Sequence, residues 1–387
     1  MPKGNLLVVH GGAPTAVMNA SLYGVLQAAR DSREVDRVLG ANGGTGGLLQ
    51  EKFIDLSRLT EGQRALLPGT PGTVIGTSRT PLMEAEYRRM AEIAKAHDIR
   101  WILFNGGNGT MDACGHMKEV CDEYGIRVVG IPKTIDNDIA VTDHAPGFGS
   151  AARYLAATVS EVAQDVHSLP IHVCVIEAMG RNAGWLAAAA SLAADVGYGP
   201  DLIYLPERAF DEAQFLDAVK TLYDRQGCAV VVASEGLHDA AGKPIVEPIF
   251  QVGRAVYYGD VSAHLANLVI RRLGIKARSE KPGICGRASF AHQSPLDREE
   301  AIACGRRATE LALGGRSGVM VTLTRPDGEY FTALGEADIR DVMLVERKVP
   351  DEWIAGDGTQ VADTFRTWCR PLIGGPLPDF LRLDERP

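Results

Sequence analysis

A chain of 387 residues with 45% hydrophobic content is long enough for two domains, each with its own core. The formal net charge of -9 disfavours nucleic acid and anionic membranes as partners, although a local group of cations can still bind a small phosphate. No signal peptide precedes the first strand, and the longest small-residue apolar run, 187–194, is too short to span a bilayer. The seven scattered cysteines favour reduced thiols, so we expect a cytoplasmic globular enzyme without a membrane anchor.

Short runs of branched apolar residues alternate with helical segments along the chain. The predicted strands are 6–9, 102–104, 126–129, 171–176, 202–205, 229–233 and 319–323. The predicted helices are 18–30, 84–97, 111–124, 151–166, 183–193, 211–225, 262–273 and 298–313. Near-continuous apolar strands that alternate with helices predict an α/β fold, with parallel sheets covered on both faces. Ligands are expected beyond the carboxyl ends of these strands.

The segment 106–110, Gly-Gly-Asn-Gly-Thr, lies between a predicted strand and a predicted helix. Glycines let the backbone approach a phosphate, and the first amides of the helix offer a positive dipole end. A plain tight turn is the alternative interpretation. The spacing fits neither Gly-x-Gly-x-x-Gly nor the pattern that ends in Gly-Lys-Ser/Thr, which disfavours a dinucleotide fold and a P-loop.

The strand at 126–129 leads into the segment 131–138, Ile-Pro-Lys-Thr-Ile-Asp-Asn-Asp, which has no apolar periodicity. Asp136 and Asp138 are two residues apart, so an extended backbone would project both carboxylates to one side. One carboxylate could accept a proton while the other holds a cation, and Lys133 could meet a phosphate there. The alternative is a surface turn capped by its own side chains.

Two later strands also end in polar motifs, Glu-Ala-Met-Gly-Arg at 177–181 and Ser-Glu-Gly at 234–236. An arginine at the start of the helix at 183–193 is unfavourable for the helix dipole, which favours a ligand for Arg181. Glu235 either binds a ligand or is a solvated loop residue.

Together and in this order, the four motifs resemble the phosphofructokinase family, over nearly the whole chain. The resemblance implies two Rossmann-like three-layer α/β domains with mostly parallel sheets and an active-site cleft between them. The implied donor-binding domain is 1–147 plus about 288–335, and the implied sugar-phosphate-binding domain is 148–287 plus 336–387. The expected cofactor is Mg²⁺, and the expected assembly is a homodimer or homotetramer.

The resemblance also implies roles for individual residues. Asp136 is the expected general base, and Lys133 and Arg181 are the expected catalytic cations. The expected metal-binding residues are Asn108 and Asp138. The residues expected to bind the phosphoryl donor are Gly12, Arg79, Gly107, Asn108, Gly109 and Thr110. The residues expected to bind the sugar phosphate are Thr134, Asp136, Asp138, His172, Met179, Gly180, Arg181, Glu235, Arg278 and Arg287.

The implied reaction is transfer of a phosphoryl group to the C1 hydroxyl of fructose 6-phosphate, which gives fructose 1,6-bisphosphate. ATP is narrowly favoured as the donor, because in the family a glycine at the position of Gly109 leaves room for the α-phosphate. Pyrophosphate is the close alternative, because Lys133 resembles the lysine of the pyrophosphate users.

Departures from the family pattern leave two alternatives open, a different acceptor and a catalytically silent subunit. Ile284 stands where many members carry a histidine, and His172 stands where many carry an arginine from the neighbouring subunit. Sedoheptulose 7-phosphate is therefore an alternative acceptor, although a histidine between apolar residues is commonly a core residue. The uncharged Asn108 motivates a catalytically silent regulatory subunit. Lipid and NAD kinases share the glycine motif but lack the segment 131–138 with a downstream Met-Gly-Arg.

Overall fold

The chain forms two compact units. The computed structural model describes residues 3–252, 255–326 and 332–381. The first unit comprises Met1–Ser150 and Arg287–Arg347, and the second comprises Ala151–Gly286 and Lys348–Pro387. The boundary expected at residue 335 falls inside a strand, Ala333–Asp338, which lies whole in the first unit.

The strands are β1 (Gly4–His10), β2 (Val35–Ala41), β3 (Phe53–Asp55), β4 (Ile99–Gly106), β5 (Arg127–Pro132), β6 (Val173–Ala178), β7 (Leu202–Tyr204), β8 (Ala229–Ser234), β9 (Pro248–Val252), β10 (Ala255–Tyr258), β11 (Ala277–Glu280), β12 (Val319–Thr324), β13 (Ala333–Asp338), β14 (Ile354–Ala355) and β15 (Gln360–Val361). The helices are α1 (Met18–Asp31), α2 (Gly44–Leu49), α3 (Glu61–Leu66), α4 (Glu84–Ala96), α5 (Asn108–Cys121), α6 (Phe148–Ser168), α7 (Trp185–Ala189), α8 (Glu212–Gln226), α9 (Val261–Leu273), α10 (Ile284–Ala288), α11 (Pro295–Leu313) and α12 (Asp363–Cys369).

The α/β prediction is confirmed. Each strand and helix predicted from the sequence has a counterpart, with ends that differ by a few residues. The helix predicted at 183–193 is divided into α7 and a 3₁₀ segment, Ala190–Asp195. All seven cysteines are free thiols, six of them buried and Cys285 exposed. Within the described ranges, no helix combines the length and apolar character needed to cross a bilayer.

The first unit is built on a seven-stranded sheet in the order β13-β12-β5-β4-β1-β2-β3. Its five inner strands are parallel, and the edge strands β13 and β3 are antiparallel to their neighbours. Side chains of β1 alternate between two cores: Leu6 and Val8 pack with residues of α1 and α11, whereas Leu7 and Val9 pack with residues of α4 and α5. The first unit therefore has three layers, with helices on both faces of the sheet.

The second unit is built on a four-stranded parallel sheet in the order β11-β6-β8-β7. Val175 and Val231 of this sheet belong to a core with Phe215 of α8 and Leu265 of α9. Near α7, the ring of Trp185 contacts three further aromatic rings, those of Trp353, Phe365 and Trp368. These rings contribute buried apolar area between α7 and the C-terminal segment.

Both sheets carry predicted motifs at the carboxyl ends of neighbouring strands. In the first unit, β4 and β5 are in register to their ends, where Gly106 pairs with Pro132. In the second unit, β6 and β8 are in register to Ala178 and Ser234. The polar segments that follow these strands consequently start side by side, as expected for parallel strands.

A close glycine contact joins α1 to α11 in the first unit. A Cβ atom at Gly305 would lie 1.9 Å from the carbonyl oxygen of Ser21, and one at Gly24 would lie 2.0 Å from the carbonyl oxygen of Ile302. Both distances are far below any van der Waals contact, so the two helices can approach this closely only with glycine at these positions.

We predict that Gly305→Ala lowers the thermal unfolding midpoint, because the added methyl group must push backbone away at a cost of about 1–3 kcal/mol. The matched control is Gly62→Ala in α3, where an added Cβ atom meets nothing within 4 Å. Alanine is the better helix former, so the control should keep or slightly raise the midpoint. Equal midpoints for the two variants would contradict the close contact.

Candidate active site

In the first unit, two segments at the ends of neighbouring strands contact one another directly. We call residues 106–110 the glycine turn and residues 133–138 the acidic turn. The backbone N–H of Lys133 donates to the carbonyl oxygen of Gly106 at 3.1 Å. The side-chain Nδ2 of Asn108 donates to Asp138, at 2.9 Å to its carboxylate Oδ2 and at 3.1 Å to its carbonyl oxygen. Asn108 and Asp138, both predicted to bind the metal, are thus hydrogen-bonded partners.

The acidic turn is sharply bent, and the extended backbone assumed for it from the sequence was wrong. Asn137 adopts a left-handed conformation with φ of 53°, which is uncommon for a residue other than glycine. Its Oδ1 accepts a hydrogen bond from the N–H of Ala145 at 3.0 Å, which stabilises the bend. The Thr134 hydroxyl accepts from the N–H of Asp136 at 3.0 Å and donates to Asp138 Oδ1 at 3.1 Å. The buried Thr134 therefore fixes the two aspartates relative to each other.

Lys133 is a buried cation between charged groups. Its Nζ atom donates to the carbonyl oxygen of Ala13 at 2.6 Å. Burial lowers the pKa of Lys133 to about 8, although the carboxylates of Asp136 and Asp138 raise it. The guanidinium groups of Arg287 and Arg79 also lower this pKa, and the value of about 8 is the balance of all these effects. Five charged residues predicted from the sequence therefore act on one another in the first unit.

The remaining donor-binding candidates differ in their surroundings. Gly12 has a positive φ of 72°, and a Cβ atom there would lie 3.6 Å from the Lys133 ammonium. Gly107 is the residue before α5, and its carbonyl oxygen accepts the first N–H bonds of that helix. Thr110 is buried, with its hydroxyl 2.2 Å from the Cβ position of Gly106. A Cβ atom at Gly109 would meet nothing within 4 Å, so protein packing does not require glycine there.

The contact between the two turns offers acceptors for a cation. Asn108 Oδ1 is buried and has no hydrogen-bond partner among the residues that the structure describes. Burial raises the pKa of Asp138, while hydrogen bonds from Thr134 and Asn108 lower it. Mg²⁺ is bound through one or two carboxylates together with phosphate oxygens of a substrate, and amide oxygens also suit it. The donor set at Asn108 and Asp138 therefore fits Mg²⁺.

In the second unit, the segments after β6 and β8 are joined by hydrogen bonds. The N–H of Gly180 donates to Glu235 Oε1 at 3.1 Å, and the hydroxyl of Ser234 donates to the carbonyl oxygen of Gly180 at 2.6 Å. Gly180 has a φ of 116°, a conformation that glycine adopts most readily. Met179 is half-buried beside this bond. One carboxylate oxygen of Glu235 is thus used to hold the Met179–Gly180 backbone.

Arg181 does not start a helix, so the dipole argument made from the sequence was wrong. The helix α7 begins at Trp185, and Arg181 lies in the preceding turn. The Arg181 side chain is exposed, with its guanidinium 5.5 Å from the centre of the Tyr258 ring. This cation–π contact orients the guanidinium without consuming its hydrogen-bond donors.

His172 is buried just before β6, which begins at Val173. Burial, Arg278 and Lys276 all lower the pKa of His172, which favours the neutral imidazole. Its Nδ1 has no hydrogen-bond partner among the residues that the structure describes. Arg278 is exposed on the edge strand β11, and the Ile284 side chain is 65% exposed.

Two groups at strand ends were given no role from the sequence. His10 ends β1, is fully buried, and has its pKa lowered to about 3 by burial and by Lys133. Glu177 near the end of β6 is buried and pairs with Lys281. A charged residue inside an otherwise apolar strand was the available signal for Glu177.

A glycine turn at a helix start, a carboxylate pair and a buried ammonium are groups that could together serve phosphoryl transfer. The phosphofructokinase family profile matches residues 5–312. The chain belongs to the phosphofructokinase family, and it is a phosphotransferase that acts on an alcohol group.

Similar proteins cover almost the whole chain. A pyrophosphate–fructose 6-phosphate 1-phosphotransferase of Xanthomonas campestris is 40% identical, over 98% of this chain and 93% of its own length. A sulfofructose kinase of Alkalicoccus urumqiensis is 33% identical, over 89% of this chain and 93% of its own. The crystal structure of a pyrophosphate-dependent phosphofructokinase from Nitrosospira multiformis has a TM-score of 0.89 and 34% identity, over 98% of this chain and 96% of that one.

These comparisons do not support ATP, which was narrowly favoured as the donor from Gly109. The Xanthomonas enzyme and the Nitrosospira structure are both named for pyrophosphate. A Cβ atom at Gly109 would meet nothing within 4 Å, so the packing of the fold does not explain the glycine and the residue alone does not identify the donor.

We predict that kcat/KM for the phosphoryl donor falls as pH rises through about 8, the pKa of Lys133. The Lys133 ammonium, which was predicted from the sequence to meet a phosphate, is charged below this pH and neutral above it, whereas an ordinary lysine stays charged to about 10.4. Lys133→Arg keeps a charge throughout and should lose this fall in rate, as measured from initial rates between pH 6 and 10. The same fall in the arginine variant would show that another group titrates.

Proposed function

We propose that the chain is a pyrophosphate-dependent fructose-6-phosphate 1-phosphotransferase that uses Mg²⁺. Pyrophosphate as the donor is supported by Lys133, a buried ammonium beside the glycine turn. It is also supported by the 40% identity to an enzyme named for this reaction. A compact inorganic donor needs a focal positive charge, which a lysine supplies as a point charge.

The predicted site residues of the first unit each have a proposed task in the transfer. Asp136 accepts the proton of the attacking C1 hydroxyl, at a position fixed by Thr134. Lys133, Arg79 and the amides at the start of α5 bind the phosphates of the donor, which approach the backbone at Gly12, Gly107 and Gly109. Mg²⁺, held by Asn108 and Asp138, supplies positive charge to the phosphoryl group when bound.

The acceptor is proposed to bind residues of the second unit. Glu235 accepts a hydrogen bond from the sugar through the oxygen that Gly180 does not use. Arg181 and Arg278 bind the phosphate group, because a guanidinium can make paired hydrogen bonds to its oxygens. Arg287, which belongs to the first unit, stays a predicted phosphate ligand. We further propose a cytoplasmic homodimer or homotetramer.

A second acceptor class is favoured by His172 and Ile284. The lowered pKa of His172 favours a neutral imidazole and the exposed Ile284 is apolar, so neither residue adds a cation for a dianionic phosphate. A monoanionic sulfonate needs less positive charge, and one relative is named a sulfofructose kinase. The acceptors to be compared are fructose 6-phosphate, sedoheptulose 7-phosphate and sulfofructose, each with both donors.

We expect the purified chain to transfer phosphoryl groups from pyrophosphate to fructose 6-phosphate far faster than from ATP. A coupled assay of fructose 1,6-bisphosphate, with each donor at a fixed acceptor concentration, measures the ratio. Gly109→Asp should lower the rate with ATP further while largely keeping the rate with pyrophosphate, because a carboxylate there would crowd and repel the proposed α-phosphate of a nucleotide.

A faster wild-type rate with ATP would contradict the proposed donor. Equal loss with both donors in Gly109→Asp would show that the added side chain disturbs the site in general. Turnover of sulfofructose well above that of fructose 6-phosphate would replace the proposed acceptor.

We expect Asp136→Asn to lower kcat by about a hundredfold or more, because the amide cannot accept the hydroxyl proton. The KM for the sugar phosphate should change little. The matched control is Asp36→Asn, the same change at an exposed position of β2. Near-normal turnover in Asp136→Asn would show that another group is the base.

A further inference from the structure

A buried carboxylate that the proposed mechanism does not use lies beside the sugar-phosphate residues of the second unit. The side chain of Glu177 is 3% exposed. Its Oε1 lies 3.0 Å from the ammonium of Lys281, and its Oε2 accepts a hydrogen bond from the N–H of Ser262 at 3.0 Å. Both oxygens are therefore held, as a buried carboxylate requires.

The partners of Glu177 belong to two other elements. Lys281 directly follows β11, three residues after Arg278, and Ser262 lies in the first turn of α9. Asp260, the residue before α9, also pairs with Lys281. Burial opposes the charge of Lys281, but the hydrogen bonds that it donates to Asp260 and Glu177 raise its pKa. We call Glu177, Asp260 and Lys281 the Glu177 network.

The network borders both arginines proposed to bind the acceptor in this unit. Arg181 follows Glu177 after three residues, and its guanidinium lies over the ring of Tyr258, two residues before Asp260. Arg278 lies on the edge strand β11, which ends one residue before Lys281. The carboxylate thus connects the end of β6, the end of β11 and the start of α9, which carry or contact these arginines.

We propose that Glu177 is a positioning residue for the acceptor, which acts through Lys281 and the start of α9 on Arg278 and Arg181. This inference rests on the proposed function of those arginines. Glu177 does not touch the substrate, because both of its oxygens are bonded within the protein. Glu177 is buried and Lys281 is partly exposed, so their ion pair adds little stability compared with apolar packing, but its directed bonds fix the relative positions of the elements it joins.

The test measures acceptor binding in Glu177→Gln and Lys281→Met. We expect the Kd for fructose 6-phosphate, from calorimetry without donor, and its KM to rise about tenfold or more. The kcat and the KM for pyrophosphate should stay within about twofold, since the first unit is unchanged. The double variant should be no worse than the weaker-binding single variant, because both changes break the same connection.

Three further variants separate positioning from general stability. Lys220→Met makes the same charge change by removing an exposed ion pair with Asp224 in α8, and it should bind like the wild type. Lys281→Arg keeps the charge and should restore most of the affinity. Asp260→Asn removes the charge of an exposed member of the network. It replaces Glu177→Gln in the binding test if that variant does not fold. A lower thermal midpoint with an unchanged Kd would overturn the positioning role.

The outcome also distinguishes this inference from the proposed function. A wild type that binds fructose 6-phosphate without transferring a phosphoryl group would contradict the function, while the binding comparison would still test Glu177. An active wild type with unchanged Kd in all network variants would overturn the positioning role alone. A wild type that binds no sugar phosphate would overturn both.

Discussion

The candidate site of the first unit depends on one buried charge. The ammonium of Lys133 bonds to the carbonyl oxygen of Ala13, and the carboxylates of Asp136 and Asp138 act on it electrostatically. Removing an ammonium from water is expensive unless nearby polar and charged groups compensate. The loop after β1 and the acidic turn after β5 are therefore held around the same charge, and a phosphate that binds there regains part of the lost solvation.

The amide of Asn108 has a complementary effect on the acidic turn. An aspartate at this position would bring two carboxylates within hydrogen-bond distance, and their repulsion would require a cation between them. The amide instead donates to Asp138 at 2.9 Å, so the glycine turn and the acidic turn stay in contact without a cation. The uncharged side chain of Asn108 motivated the alternative of a silent subunit. In the structure, its amide is the group that joins the two turns.

The sequence predicted those strands that are apolar throughout, because inner strands of a parallel sheet are buried on both faces. It did not indicate β2, whose residues Asp36 and Arg37 are exposed, or the edge strand β11, which carries Arg278 and Glu280. The motif residues of the first unit were found because they follow apolar strands. The left-handed backbone of Asn137 was missed, because a single left-handed residue leaves no periodic signal in a sequence. The pairing of Glu177 with Lys281 was missed because it joins distant parts of the chain.

The helix α11, which packs closely against α1 through glycines, lies late in the chain. This order has a consequence for synthesis on the ribosome. One face of the first sheet is covered partly by α11, and β5 is flanked by β12, yet both elements follow most of the second unit in the chain. While residues 151–286 emerge, that apolar face and one edge of β5 have no native cover. The nascent first unit is therefore exposed to aggregation until Pro295–Leu313 and Val319–Thr324 have left the exit tunnel.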